Sequence, residues 1–222
     1  DGFYSEEKNS FGKTSYSKWG GFLNKVDCFD PLFFNITPND ARTMDPNERL
    51  FLESAWSAVE DAGYTPNTLS KDKRVGVFAG VMWAGYQLFA AEERVKGNIV
   101  EANSSHWSVA NRVSFFMDFH GPSLTIDTAC SSSLSAVHIA CQSIMQGDCS
   151  VALVGGVNLN LHPQKYYLLS QRYFASTDGR CRSFGEGGTG YVPGEGVGTV
   201  ILKPLHLAEK DGDHIYGVIR GT

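Results

Sequence analysis

The sequence predicts an α/β fold built from alternating strands and helices. Short apolar runs bounded by loop residues alternate with segments in which apolar residues recur with the helical period. Capping residues stand where several of the helical segments begin. With 42% hydrophobic and 19% charged residues, the 222-residue chain has an ordinary globular composition and can bury a sizeable core. Because the sequence shows no repeat, low-complexity tract or linker, we predict part of a single domain over residues 1–222.

The predicted helices are marked by residues that begin or end them. Thr37 and Asp45 each precede a proline and an acidic residue, the pattern of an N-cap followed by proline at the first helical position. Gly63 and Gly147 follow periodic segments, where glycine commonly ends a helix. The expected helices begin after Thr37, run from Asp45 to Gly63, and cover residues 103–117 and 131–146.

Five short strands are predicted from apolar runs or from alternation of apolar and polar residues. They cover residues 75–81, 123–129, 151–154, 198–202 and 215–219. Strands that alternate with helices favour a sheet covered by helices. The strand at 123–129 leads directly into the helix at 131–146, so the residue between them lies at a strand-to-helix turn.

Charge and composition exclude several function classes. A formal net charge of −5 without a run of Lys and Arg argues against nucleic acid as a partner. No apolar run approaches the ~20 residues that span a bilayer, and no signal-peptide pattern opens the sequence, so we expect no membrane partner. Five cysteines without a Cys-x-x-Cys pair favour reduced thiols, a cytoplasmic location and no metal site. Residues 185–190 match G-x-G-x-x-G, but no strand precedes them and no helix follows, so we expect no cofactor there.

Cys130 is the candidate nucleophile. It lies at the strand-to-helix turn, where the unpaired N–H groups and the dipole of the helix favour an anion and therefore the reactive thiolate. Its small neighbours Ala129 and Ser131 leave room for an incoming thioester, and its own backbone N–H is placed to hold a developing oxyanion. The structural alternative is a packed core cysteine, and the residues alone leave both interpretations open.

The other cysteines and the histidines carry no comparable local signal. Cys141 is expected to pack on the apolar face of the same helix, and nothing in the sequence activates Cys28, Cys149 or Cys181. His138 lies eight residues beyond Cys130, about 12 Å along the helix axis, which is too far for a catalytic base. The remaining histidines are expected to be surface or packing residues: His106, His120, His162, His206 and His214.

The segment Asp127–Leu134, with the sequence Asp-Thr-Ala-Cys-Ser-Ser-Ser-Leu, resembles the active-site motif of type I ketosynthases. Further segments match this family in the expected order along nearly the whole chain: residues 29–36, 44–56, 60–63, 111–114, 121–122, 154–157, 178–182 and 191–196. Residues 103–107 and Pro193 most resemble bacterial polyketide synthases whose acyltransferase is a separate protein. Thr189 departs from the family pattern, because many relatives have Asp there, and we interpret it as a tolerated loop change.

The resemblance implies a thiolase-like fold, in which two similar α/β halves form α-β-α-β-α layers and homodimers. This chain would supply mainly the first half. The implied activity is decarboxylative Claisen condensation, in which the cysteine takes an acyl chain from one acyl carrier protein and a malonyl group on a second carrier protein extends it. No bound cofactor is implied, because phosphopantetheine belongs to the carrier proteins. Neighbouring polyketide synthase domains are the other implied partners.

Several site assignments depend on the resemblance. The family's two histidines lie in a His-Gly-Thr-Gly-Thr motif and a Gly-His motif that this sequence lacks, so none of its six histidines inherits those roles. We therefore expect the opening strand and the C-terminal half of the domain to be absent and this chain alone to be inactive in condensation. Ala129, Phe115, Phe116 and Met117 are candidates for an acyl tunnel or the dimer interface, with packing as the alternative role.

Three alternatives for function stay open. A non-elongating ketosynthase would keep the cysteine and only pass acyl chains between carrier proteins. A cysteine hydrolase would need a nearby histidine, would release free acid and would not depend on a carrier protein. A non-catalytic half-domain would serve only in dimerisation or as a scaffold.

Overall fold

A computed structural model of the chain describes residues 2–6 and 14–222. The described residues form two compact units. The larger unit contains residues 26–158 and 197–222, and the smaller unit contains residues 2–6, 14–25 and 159–196. That residues 1–222 are one portion of a single domain stays a prediction.

The sheet of the larger unit has four strands, which lie in the order β2-β1-β3-β4. Strand β1 pairs in parallel with both β2 and β3. The strands are β1 Val75–Gly80, β2 Ser123–Ile126, β3 Val151–Asn158 and β4 Gly196–Leu202. Every residue of β1 is buried, as expected for a central strand covered on both faces.

Seven helices are present in the described residues, and the caps predicted at Thr37 and Asp45 are confirmed. Thr37 Oγ1 accepts the N–H of Asp40 at 3.1 Å, and Asp45 Oδ1 accepts the N–H of Asn47 at 2.8 Å. The helices are α1 Pro38–Thr43, α2 Pro46–Asp61, α3 Gln87–Val95, α4 His106–Met117, α5 Ser132–Gln146, α6 Gln164–Gln171 and α7 Leu205–Asp211.

Two apolar cores lie on opposite faces of the sheet. Val77 and Ala79 of β1 pack with α2 and α4, whereas Phe78 between them packs with Ala136 and Ala140 of α5. Because side chains of a strand alternate between the two faces, helices cover both sides of the sheet. The predicted α/β layers are therefore confirmed.

The predicted strand at 215–219 is wrong, because this segment forms no strand in the structure. Its apolar, β-branched composition favours a strand, but a strand also needs a neighbouring strand to receive its hydrogen bonds. The tail is instead held by side chains, including a hydrogen bond of 3.2 Å from the Tyr216 hydroxyl to Asp61. Strand β2 also ends at Ile126, three residues before the predicted end, because the following residues form the turn that leads to α5.

The smaller unit is built around loops and helix α6. Its small core contains Tyr16, Leu169 and Ala175. The Glu195 carboxylate joins two of its segments by accepting the N–H of Leu23 at 2.9 Å and the N–H of Asn160 at 2.8 Å. Across the described parts of both units, no helix has the length and apolarity needed to cross a bilayer.

Candidate active site

Cys130 lies in a tight turn between β2 and α5, as the sequence predicts. The strand ends four residues before Cys130, and the helix begins two residues after it. Parallel strands β1 and β2 end at the same edge of the sheet, the edge at which parallel α/β proteins generally place their sites. In this chain the Cys130 side chain is exposed at that edge.

The turn depends on an unusual backbone conformation at Ala129. This residue has a φ of +56°, in the left-handed region that non-glycine residues rarely adopt. Such strain persists where surrounding contacts impose it, often at functional sites. Here the Asp127 carboxylate accepts the N–H of Ala129 at 2.9 Å and so helps to end the strand early.

Hydroxyl groups hold the rest of the turn. The Ser132 hydroxyl donates to the Ala129 carbonyl oxygen at 2.6 Å and accepts the N–H of Thr128 at 3.0 Å. Thr128 Oγ1 also lies 2.8 Å from the Ser135 hydroxyl. None of these bonds uses the backbone N–H of Cys130, which makes no hydrogen bond within the described part of the chain.

Two glycines allow the first turn of α5 to approach the sheet. A Cβ atom on Gly80, at the end of β1, would lie 2.6 Å from the backbone nitrogen of Ser133. A Cβ atom on Gly156, in β3, would lie 2.4 Å from the Ser133 hydroxyl oxygen. The start of the helix therefore rests directly on the backbone of two neighbouring strands, which fixes its height above the sheet.

Cys130 differs from the other cysteines in its exposure and in its position in the fold. Burial raises the pKa of the Cys149 thiol, and partial burial raises the pKa of Cys141, so both favour the unreactive thiol. Cys28 and Cys181 are exposed but lie at no strand-to-helix turn. Of the described cysteines, Cys130 alone combines exposure with a helix N-terminus.

No histidine in the described part of the larger unit hydrogen-bonds to Cys130. His138 is instead turned to Thr222, with 2.6 Å between Nδ1 and the hydroxyl oxygen, and to Gln142. His120 is exposed and lies 2.9 Å from Asp118. A cysteine hydrolase would need a histidine beside the thiol, so this arrangement does not support that alternative.

The structure does not bring the candidate tunnel residues of α4 to Cys130. The hydroxyls of Ser114 and Ser123 lie 2.9 Å apart, which places the end of α4 beside the start of β2, whereas Cys130 follows its end. Met117 is buried in the core at 2% exposure, and Phe116 packs against Phe34 with ring centroids 5.0 Å apart. These positions favour the packing alternative for both residues.

Phe115 and Ala129 differ from those two residues. Phe115 is 84% exposed, so in this chain its ring is available to a partner. Ala129 adjoins Cys130 and contributes through its backbone. A tunnel or interface role for either residue stays a prediction.

Sequence reasoning missed Ser132, Asp127, Gly80 and Gly156 as parts of the site. Ser132 and Asp127 lie within the recognised motif, but the motif does not reveal their hydrogen-bond partners. Those partners depend on the shape of the turn. The two glycines carried a weaker signal, since each ends or interrupts an apolar strand where a close approach is common. Within residues 2–6 and 14–222, no group of three or more His, Cys, Asp or Glu side chains could hold a metal ion.

Residues 1–208 match the family described as "Beta-ketoacyl synthase, N-terminal domain". The chain belongs to this family, and it corresponds to the N-terminal portion of the ketosynthase domain of polyketide synthases. Its fold is the thiolase-like fold of those domains.

Individual relatives agree with this assignment. The chain is 55% identical over 226 residues to polyketide synthase PksL of Bacillus subtilis strain 168, covering 99% of this chain and 5% of PksL. It superposes on the oxazolomycin ketosynthase domain OzmH KS7 of Streptomyces albus JA3453 with a TM-score of 0.91 and 51% identity, over 96% of this chain and 36% of that one. The ketosynthase from module 6 of the bacillaene synthase of Bacillus subtilis 168 gives a TM-score of 0.84 and 42% identity, over 94% and 34% of the chains.

Proposed function

We propose that the complete domain elongates a polyketide chain by decarboxylative condensation, with Cys130 as its acyl-accepting nucleophile. The observation that carries the proposal is the position of Cys130, exposed in a strained turn at the N-terminus of the 15-residue helix α5. The family assignment supplies the reaction class. The geometry supports a cysteine presented to a substrate from outside the sheet.

The first step of the proposed reaction is acyl transfer. The Cys130 thiolate attacks the carbonyl carbon of a thioester on an acyl carrier protein, and the carbonyl oxygen becomes an oxyanion. The backbone N–H of Cys130 is a donor for this oxyanion, since no group within the described residues occupies it. The tetrahedral intermediate then expels the phosphopantetheine thiolate and leaves an acyl group on Cys130.

The second step forms the new carbon–carbon bond. A malonyl group on a carrier protein loses CO₂, and the resulting enolate attacks the carbonyl carbon of the acyl-cysteine. The Cys130 thiolate leaves, and the carrier protein holds a β-ketoacyl chain longer by two carbons. The family's two histidines, which lie in motifs outside this sequence, would polarise the malonyl thioester.

The partners of the domain follow from the proposed reaction. Acyl carrier proteins deliver both substrates on phosphopantetheine, neighbouring polyketide synthase domains complete the module, and a second copy of the domain forms a homodimer. The domain itself holds no cofactor and acts in the cytoplasm. The bacterial type with a separate acyltransferase is the proposed subclass, because residues 103–107 and Pro193 resemble it.

The experiment that tests the proposal follows the mass of the complete domain. The domain is incubated with an acyl thioester and then with malonyl-loaded carrier protein, and both proteins are weighed by intact mass spectrometry. We expect an acyl adduct on the domain that later appears on the carrier as a chain two carbons longer. An adduct that moves to the carrier unchanged would contradict elongation and identify the non-elongating transferase.

A further inference from the structure

The peptide group between Ala129 and Cys130 carries the N–H that the proposed reaction needs. Its other end, the Ala129 carbonyl oxygen, accepts two hydrogen bonds from a single residue. The backbone N–H of Ser132 donates to it at 3.1 Å, and the Ser132 hydroxyl donates to it at 2.6 Å. The carbonyl is therefore held towards the start of α5.

Fixing the carbonyl also fixes the N–H. A peptide group is planar, and the described chain has no cis peptide bond, so the C=O of Ala129 and the N–H of Cys130 point in opposite directions. When Ser132 holds the carbonyl towards the helix, the Cys130 N–H must point away from it. That N–H consequently stays free to meet a substrate oxygen.

The Ser132 hydroxyl is suited to this task by its surroundings. It also accepts the N–H of Thr128 at 3.0 Å, so it joins the 127–128 peptide to the 129–130 peptide across the bend of the turn. Ser132 is 5% exposed, which keeps water from replacing either bond. Ser131 differs, because its exposed hydroxyl bonds only to Thr128, at 2.8 Å to the carbonyl oxygen and 3.0 Å to the hydroxyl oxygen.

We propose that Ser132 is a positioning residue for acyl transfer, and that its hydroxyl orients the 129–130 peptide so that the Cys130 N–H stabilises the oxyanion. The inference rests on the proposed function of Cys130 as the nucleophile. The hydroxyl contributes in a second way, because hydrogen bonds that share a peptide strengthen one another by about 10–30%. A donor on the Ala129 carbonyl therefore makes the Cys130 N–H a better donor.

The test compares two reactions of the same thiol in the complete ketosynthase domain. Acyl loading from an acyl thioester passes through an oxyanion, whereas alkylation by iodoacetamide occurs at a saturated carbon and forms none. For Ser132→Ala we expect the loading rate at saturating thioester to fall about 10- to 100-fold, part of the loss that follows removal of a whole oxyanion donor. Alkylation of Cys130, measured by peptide mass spectrometry, should change less than about threefold, with Cys28 and Cys181 as internal references.

Two further variants control for folding. Ser133→Ala removes the hydroxyl of the next residue. This hydroxyl lies against Gly156 but forms no hydrogen bond within the described chain, so both rates should stay within about twofold of the wild type. Ser132→Thr keeps the hydroxyl and should keep the ratio of loading to alkylation within about threefold, even if Ser132→Ala fails to fold. The inference would be overturned if both reactions slowed equally in Ser132→Ala, or if loading in that variant were unchanged. It would also be overturned if Ser132→Thr lost acyl loading while its Cys130 was still alkylated.

Failure of the proposed function gives a different result. If wild-type protein forms no acyl adduct on Cys130, the nucleophile assignment is wrong, whatever Ser132 does. If the wild type forms the adduct and Ser132→Ala forms it equally fast, the nucleophile assignment stands and only the positioning role is lost.

Discussion

The close contact of Gly80 with helix α5 gives the sharpest structural prediction. In Gly80→Ala the new Cβ would lie 2.6 Å from the Ser133 nitrogen, 2.7 Å from the Ser132 carbonyl carbon and 2.8 Å from the Ser133 Cα. All three are backbone atoms, so no flexible side chain can move aside. Ordinary contacts begin at 3.4 Å, and the first turn of α5 must therefore shift by about 0.8 Å or more.

The helix must absorb this shift, because β1 is a buried central strand paired on both sides. Overpacking of this kind costs about 1–3 kcal/mol in the free energy of unfolding. A misplacement of about 1 Å at a reacting group can slow a reaction about 100-fold. We therefore expect Gly80→Ala to lose about 1–3 kcal/mol in urea unfolding and to load an acyl thioester on Cys130 about 100-fold more slowly.

Gly198→Ala is the matched control for this prediction. Gly198 also lies in a strand, but a Cβ there would meet nothing within 4 Å. This variant should change the free energy of unfolding by no more than about 1 kcal/mol and should load normally. Equal behaviour of Gly80→Ala and Gly198→Ala in both assays would refute the claim that the helix start is set by contact with the strand.

Two further predictions concern stability. The Glu48 carboxylate, on a side chain with 3% exposure, accepts the Nε–H of Arg112 and the Ser108 hydroxyl, each at 2.8 Å. Arg112→Met leaves this carboxylate without its cation, so urea unfolding should show a loss of about 3 kcal/mol, and adding Glu48→Gln should restore most of it; an unchanged single variant would contradict the pairing. Burial lowers the pKa of Lys165 to about 8, against the opposing effect of Glu195. The folded protein therefore releases this proton near pH 8, whereas the unfolded chain keeps it up to about pH 10.5. Because the unfolded chain binds the extra proton between these values, the free energy of unfolding should rise with pH over this range. The melting temperature of the wild type relative to Lys165→Met should rise from pH 7 to pH 10, and a flat difference would contradict this.

Much of the turn could be predicted from the sequence. The switch from a strand pattern to a helical period located the residue between them, and Gly147 marked the end of the helix. In the structure α5 ends at Gln146, and Gly147 caps it with a φ of +80°. These signals are reliable because they are local: the residues that form the helix and its cap are neighbours in the sequence.

The details that control the chemistry could not be predicted in this way. The left-handed φ of Ala129 gives no signal in the sequence, because alanine rarely adopts it. Glu48 has the pattern of an acid in the first turn of a helix, yet its ion pair with Arg112 joins residues 64 positions apart. The strand prediction for 215–219 was wrong for the same reason, because β propensity does not reveal whether a partner strand is present.

The most direct test of the central claim is to locate the acyl adduct. The complete domain is incubated with an acyl thioester, and the modified peptide is identified in the wild type, in Cys130→Ala and in Cys181→Ala, which removes another exposed thiol. We expect an adduct on Cys130 in the wild type and in Cys181→Ala, and none in Cys130→Ala while that variant keeps the wild-type melting profile. Normal loading of folded Cys130→Ala would show that the strand-to-helix turn does not carry the nucleophile.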